Sequence, residues 1–293
     1  MKRRIANWGL LTLGLALLPS CFVDQPAPKT NGSPTMPAMV GKILFMDNQG
    51  FKPQGQFLAE FAHKATTAQR AVTPRFAALL SLADNPRSGD CQVFDQSPSR
   101  DAQAQLISVG KLAVGHSHQD SFLMIPDNGN HQYAAAIPPG FESDEFLVYA
   151  EGAGDVPKFG VGVAVPPALT GVKLADADFL ASAGQHLKKS VNLKLQWNQE
   201  VFPNSSNKVA LQLSQLTFGN RQVVLMCQAD EESLPASGGV VTWEITPSQL
   251  AAFPVAQNIA VSLLRANIEQ GKAPFEVKLE GIRSLTTLAH WDP

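Results

Sequence analysis

Three observations predict an all-β chain of two β-sandwich domains with short helical connections. Apolar residues recur with a period of two in eight segments, Gly, Pro and Asn turn signals separate these segments, and helical periodicity is confined to two brief stretches. A sandwich is the economical way to bury many half-apolar strands, because the apolar face of each sheet covers the other.

The chain has 293 residues, and 44% hydrophobic content suffices for a core. The charged fraction of 16% is below the roughly 25% of average proteins. This excludes a solvated coiled coil and a nucleic-acid-binding surface. With 23 Lys and Arg against 25 Asp and Glu, the net charge of -2 names no electrostatic partner.

Residues 1–20 read as a signal peptide. Lys2, Arg3 and Arg4 precede an apolar run from Ile5 to Leu18, which Pro19 stops. Fourteen residues fall short of the roughly 20 that cross a bilayer as a helix. The following Leu18-Pro19-Ser20-Cys21 resembles the lipobox of bacterial lipoproteins, with Leu three residues before the Cys and a small Ser directly before it. That resemblance implies a diacylglycerol thioether on Cys21, palmitate among its acyl chains, and cleavage that leaves Cys21 as the new N-terminus. The alternative is an ordinary secretory peptide cut near Ser20. At about 0.8 kcal/mol per buried CH₂, two or more chains hold a protein to a membrane where one does not. Loss of the three leader cations leaves 20 basic against 25 acidic residues, a net charge of -5, so the acyl chains alone would anchor the body. Phe22 rather than Asp after Cys21 favours the outer over the inner membrane, by resemblance to the sorting rule of some bacteria.

Residues 21–40 form a tether. Pro26, Pro28, Pro34 and Pro37, with Asn31, Gly32 and Ser33, supply no periodic apolar face, and such a segment reaches roughly 25 Å as a flexible coil.

The first domain is assigned to residues 41–167. Its alternating segments are Phe57, Ala59 and Phe61, then Phe146, Val148 and Ala150, then Phe159, Val161, Val163 and Val165. Thr73-Pro74 ahead of Phe76, Leu79 and Leu80 predicts a short helix. Pro166-Pro167 marks the boundary, with about 125 residues on each side, a comfortable sandwich size. In the second domain, residues 168–293, alternation runs through Val191 to Trp197, Val223 to Cys227, Val241 to Ile245, Ile259 to Leu263, and Phe275 to Leu279. The intervening Glu276, Lys278 and Glu280 are expected to meet water. Thr246-Pro247-Ser248-Gln249 has capping-box spacing ahead of Leu250 and Phe253, which predicts one or two helical turns.

Asn192 to Trp197 resembles the early Trp-bearing strand of fibronectin type III and other immunoglobulin-like domains. The resemblance implies an immunoglobulin-like form of the sandwich. Both tyrosines, Tyr133 and Tyr149, precede the boundary, so the second half lacks the later tyrosine common in such folds.

Cys91 and Cys227, 136 residues apart, are either a disulfide stapling the two domains or two buried thiols. His116, His118 and Asp120, at alternate positions, would share one face of a single strand and could then ligate a divalent metal, with His131 a further ligand across a hairpin. A polar strand end leading into a turn explains the same residues. Acidic groups at Glu142, Asp144 and Glu145, at Asp176 and Asp178, and at Asp230, Glu231 and Glu232 lack EF-hand spacing and read as solvated loops. Asp127-Asn128-Gly129-Asn130 reads as a turn. In Gly160-x-Gly162 the glycines fit a close-packed or sparsely covered sheet face. Trp197 and Trp243 are in phase with core residues, whereas Trp291, near the end, is expected at the surface.

No serine-hydrolase elbow, zincin, phosphate-loop or dinucleotide motif is present, and no cofactor is implied. The expected function is a cell-envelope lipoprotein with a structural, adhesion or ligand-binding role, held at the membrane by its lipid and partnered by an envelope protein or a glycan. The alternatives are a carbohydrate-binding lipoprotein and a metal-dependent hydrolase built on His116, His118 and Asp120.

Overall fold

The structure, a computed structural model, describes residues 39–50, 54–63, 89–96, 106–116, 119–138, 144–181, 183–199, 207–216, 222–254, 256–272 and 274–292. The leader, Cys21, the tether up to residue 38 and the helix expected over 73–80 lie outside the described residues. The fold is all-β and sandwich-type. Its strands are β1 (Met39–Gly50), β2 (Gln54–His63), β3 (Cys91–Gln96), β4 (Leu112–His116), β5 (Gln119–Ile125), β6 (Gln132–Ile137), β7 (Glu145–Ala150), β8 (Phe159–Ala164) and β9 (Lys173–Leu174). Beyond these come β10 (Ala177–Asp178), β11 (Gln185–Lys188), β12 (Leu193–Asn198), β13 (Lys208–Leu216), β14 (Gln222–Asp230), β15 (Ala236–Ser237), β16 (Val240–Ile245), β17 (Ala256–Lys272) and β18 (Glu276–Asp292). The one described α-helix, α1 (Pro247–Leu250), carries the expected capping box between Thr246 and Gln249 and buries Leu250.

Nine strands form the largest sheet, in the order β3-β14-β13-β17-β18-β1-β2-β6, with β11 added beside the end of β18. Its spine is the antiparallel hairpin β17–β18, whose strands have 17 residues each. At a rise of about 3.3 Å per residue each spans roughly 55 Å, far longer than the usual five or six residues. That length lets one hairpin serve two cores. On one face of β18, Val277 and Leu279 join a core made otherwise of residues between Met39 and Val165, against the four-stranded sheet β5-β4-β7-β8. Farther along the same face, Leu285, Ala289 and Trp291 join a second core with Trp197, Leu211, Leu225 and Trp243, against the five-stranded sheet β10-β9-β12-β16-β15.

Pro166-Pro167, the expected boundary, therefore separates most residues of the two cores, with Val277 and Leu279 crossing it, and does not divide the sheet. β1, assigned to the first domain, pairs in parallel with β18 over Val40 to Gly50, and β3 pairs with β14. A strand of ordinary length would have ended before reaching the second core.

Where the chain crosses from one core to the other, the spine presents Arg265 and Arg283 directly opposite each other. Like charges in that position repel. Each arginine is answered by an acid, Arg265 by Glu231 at 2.5 Å and Arg283 by Asp47. Each also donates to the crossing segment, Arg265 Nη1 to the Pro167 carbonyl and Arg283 Nε to that of Pro166, both at 3.3 Å. Consecutive prolines suit this place because they bring no backbone N–H that would need a buried acceptor. Trp197 Nε1 donates to the same Glu231 oxygen at 2.7 Å, so the clamp is tied into the second core.

The crossing also explains Gly281, where a Cβ would collide with the Ala164 carbonyl oxygen and lie 2.8 Å from Val165 Cα. Both obstacles are backbone. Gly281→Ala is expected to destabilise the protein by about 1–3 kcal/mol, the usual cost of overpacking. Urea unfolding checks this, and an unchanged midpoint would mean that the crossing has slack.

On the opposite face of the large sheet, Leu44, Ala210, Met226, Leu264, Ala266 and Ile282 form a third buried cluster. Glu280, expected in water, lies on this face and is fully buried, 3.6 Å from Lys42. Alternation placed it correctly opposite Leu279, but β18 is a central strand and both of its faces are buried there. Trp291 corrects a second expectation, being 1% exposed and packed edge-on to Phe253.

Candidate functional site

The residues singled out for chemistry do not converge. β4 ends at His116 and β5 begins at Gln119, its pairing partner, with a register shift between Gly115 and His116. The single strand that would have aligned His116, His118 and Asp120 is thus two strands. His116 is buried, His118 lies outside the described residues, and Asp120 falls on β5. Among the described residues, no three His, Cys, Asp or Glu side chains gather to hold a metal.

His131, the suggested fourth ligand, is instead bound up in the turn beside it. Its Nδ1 lies 3.0 Å from Asp127 Oδ2, and Asp127 Oδ1 accepts the backbone N–H groups of Gly129 and His131. Desolvation, the largest single influence, would raise the Asp127 pKa, but the hydrogen bonds from His131 and Gly129 and the His131 charge together outweigh it and hold the carboxyl below its ordinary value. Gly129 takes the positive φ that the turn needs.

Cys91 and Cys227 stand directly opposite each other on β3 and β14, and their sulfurs are bonded. The bond joins a segment from before the Pro166-Pro167 crossing to the second core, where Cys227 is 1% exposed. Of the acidic groups, Asp178 accepts from the backbone N–H of Leu180 and Ala181 in a turn, and Asp176 pairs with Lys194 at 3.0 Å on the surface. Glu231 departs from the solvated reading, since it is the acid of the Arg265 clamp.

Two features were not legible beforehand. The first is an open aromatic face on the four-stranded sheet. Phe122, Met124 and Tyr149 are 56%, 54% and 42% exposed, and the two rings meet edge to face with centroids 5.6 Å apart. Gly115 lies beneath the Phe122 ring, where a Cβ would come within 2.7 Å of it, and Gly160 lies beside Tyr149. The glycines thus leave room for the rings to lie down across neighbouring strands. This agrees with a sparsely covered face at Gly160-x-Gly162.

The second is a cavity of about 270 Å³ at one end of the large sheet. A transverse row of polar side chains crosses five strands there in unbroken register, from Gln270 on β17 through Lys278 on β18, Lys42 on β1 and Glu60 on β2 to Gln132 on β6. Four of the five line the cavity or its rim, joined by Glu276 and by an apolar wall of Val40, Phe61, Ala62 and Leu106. Lys42 and Glu60 are only 9% and 8% exposed. Gln132 Nε2, at 2.7 Å, donates to Glu60 Oε1 and orients that carboxylate. In the sequence, these charges stand on separate strands, with Lys42 and Lys278 lying 236 residues apart. Only the pairing of β1 with both β2 and β18 brings them together.

Comparison with known protein families and with curated proteins finds no match for this chain, so its functional reading rests on its own residues and geometry.

Proposed function

We propose that this is a lipid-anchored protein of the bacterial cell envelope, held by acyl chains on Cys21 and working as a binding or structural module rather than as a catalyst. The observation that carries this reading is Leu18-Pro19-Ser20-Cys21 behind a basic start and a fourteen-residue apolar run. The form of the body agrees with a passive role: one long hairpin runs through both cores, an arginine clamp secures the crossing between them, and a disulfide secures an edge strand. Among the described residues no helix is long and apolar enough to cross a membrane.

Growth of the producing bacterium with labelled palmitate tests the anchor. The expected result is label on the wild-type protein in the membrane fraction, and an unlabelled, released product from Cys21→Ser. A wild-type product that takes no label, with its thiol bare by mass spectrometry, would refute the reading.

A carbohydrate ligand is a second reading, favoured by the exposed Phe122 and Tyr149 rings, since aromatic faces stack against sugar rings. The tryptophans do not serve it, because all three in the body are buried.

A further inference from the structure

We propose that the outer face of the four-stranded sheet β5-β4-β7-β8 lies on the bilayer, with Phe122, Met124 and Tyr149 seated where headgroups meet acyl chains. The inference rests on the lipid anchor at Cys21, and it adds an orientation that acyl chains on a flexible tether do not set.

Two neighbouring rows cross that face in register, one from Met124 to Gly160 and one from Phe122 to Gly162. Every position in both rows is an apolar residue or glycine. A sheet with one solvated face ordinarily alternates apolar with polar residues, so an exposed second apolar face marks a surface that something covers. Charge returns in the next row, where Lys111 and Glu151 form an exposed pair at 3.5 Å. Opposite charges paired at the rim suit zwitterionic headgroups and draw no strongly charged partner.

The occupant follows from what the face lacks and from where the tether enters. A sugar needs polar partners for its hydroxyls, and the positions beside Phe122 and Tyr149 hold Ala113, Gly115, Leu147 and Gly160. A second copy would need about 800 Å² from each partner. A face three strand spacings wide and about four residues long covers only roughly 200 Å², at about 4.8 Å per spacing and 3.3 Å per residue. A bilayer asks for neither, because the tether keeps the body beside it. Met39, where the tether joins β1, belongs to the core that this sheet covers. Packed sheets lie about 10 Å apart and the tether reaches roughly 25 Å as a coil, so the face can meet the surface that holds the lipid. Linkage of that length makes even a weak contact effective.

The test uses the full mature lipoprotein in liposomes of phosphatidylethanolamine and phosphatidylglycerol. With Cys21 lipidated and Cys91 bonded to Cys227, Met124→Cys supplies a single free thiol for a nitrobenzoxadiazole label. The control label is on Val191→Cys, 53% exposed in the turn between β11 and β12. Doxyl lipids are expected to quench the label at 124 at least about twofold more than that at 191, as suits a residue roughly 5–10 Å deep in the interface. Phe122→Asp should remove most of that difference and leave palmitate on the protein. Should it lower the unfolding midpoint, Tyr149→Lys, at a position already 42% exposed, is expected to remove the difference instead. Equal quenching at both sites on palmitate-bearing, liposome-bound protein overturns the docking alone, whereas a wild-type product without palmitate overturns the anchor and the docking with it. A label at 124 that responds instead to N-acetylglucosamine oligomers, or to protein concentration, gives the face to a glycan or a second copy and overturns the proposal. So do folded variants quenched as strongly as Met124→Cys alone.

Discussion

Replacing Arg265 with methionine is expected to destabilise the protein by about 3–5 kcal/mol, the cost of breaking a buried ion pair from one side. Arg265 is 1% exposed, and Glu231, its partner at 2.5 Å, has a side chain 12% exposed, so the remaining carboxylate would keep its charge in poorly solvated surroundings. The Pro167 carbonyl would lose its donor as well. The double variant Arg265→Met, Glu231→Gln removes the stranded charge and should recover part of the loss. Trp197→Phe deletes the indole N–H bond to Glu231 and leaves a cavity in the second core, where Trp197 is fully buried, so it should cost more than the roughly 0.5–1.5 kcal/mol of the hydrogen bond alone. Urea unfolding monitored by fluorescence and circular dichroism measures all three. A single-variant loss below about 1 kcal/mol would mean that water reaches Glu231 and that the clamp is a surface pair.

Loss of the Cys91–Cys227 bond is the other large effect. The residues are 136 apart in sequence, and closing a loop of that length stabilises by up to about 5 kcal/mol in the chain-entropy account, with native bonds typically worth about 2–5 kcal/mol. The expected result for Cys91→Ser, Cys227→Ser is a drop of about 3–5 kcal/mol in unfolding free energy. β3 should loosen first, because among the described residues it lies at the edge of the nine-stranded sheet and pairs only with β14. Hydrogen exchange would show this as faster exchange in residues 91–96 than in the β17–β18 spine. If the double variant unfolds at the wild-type denaturant concentration, loop closure is not what the bond contributes.

How much of this was legible beforehand can be followed on individual residues. Phe57, Ala59 and Phe61 were read as inward from alternation and are at most 1% exposed. The capped turn at Thr246 was legible because every group in it lies within four residues. Glu280 was read as outward by the same rule that succeeded for Phe57, and it is buried. Alternation tells one face from the other, but not whether both are covered. What crosses Pro166-Pro167 was not legible: most apolar residues on each side lie in separate cores, but Val277 and Leu279 join the first, and β1 crosses over to pair with β18. The candidate cavity was not legible at all, since Lys42, Glu60 and Lys278 lie on three strands, the last more than 200 residues along the chain from the other two.

From the residues alone came the all-β class, most of the inward positions, and the local turns and caps. These depend on the period-two geometry of an extended backbone and on hydrogen bonds that close over a few residues. The tertiary structure decided which strands pair, that one hairpin serves two cores, and which charges are buried. Those outcomes depend on contacts such as that of Asp47 with Arg283, between residues 236 apart in sequence. No short-range pattern records such a contact, because pairing and burial depend on what the rest of the chain brings to the same place.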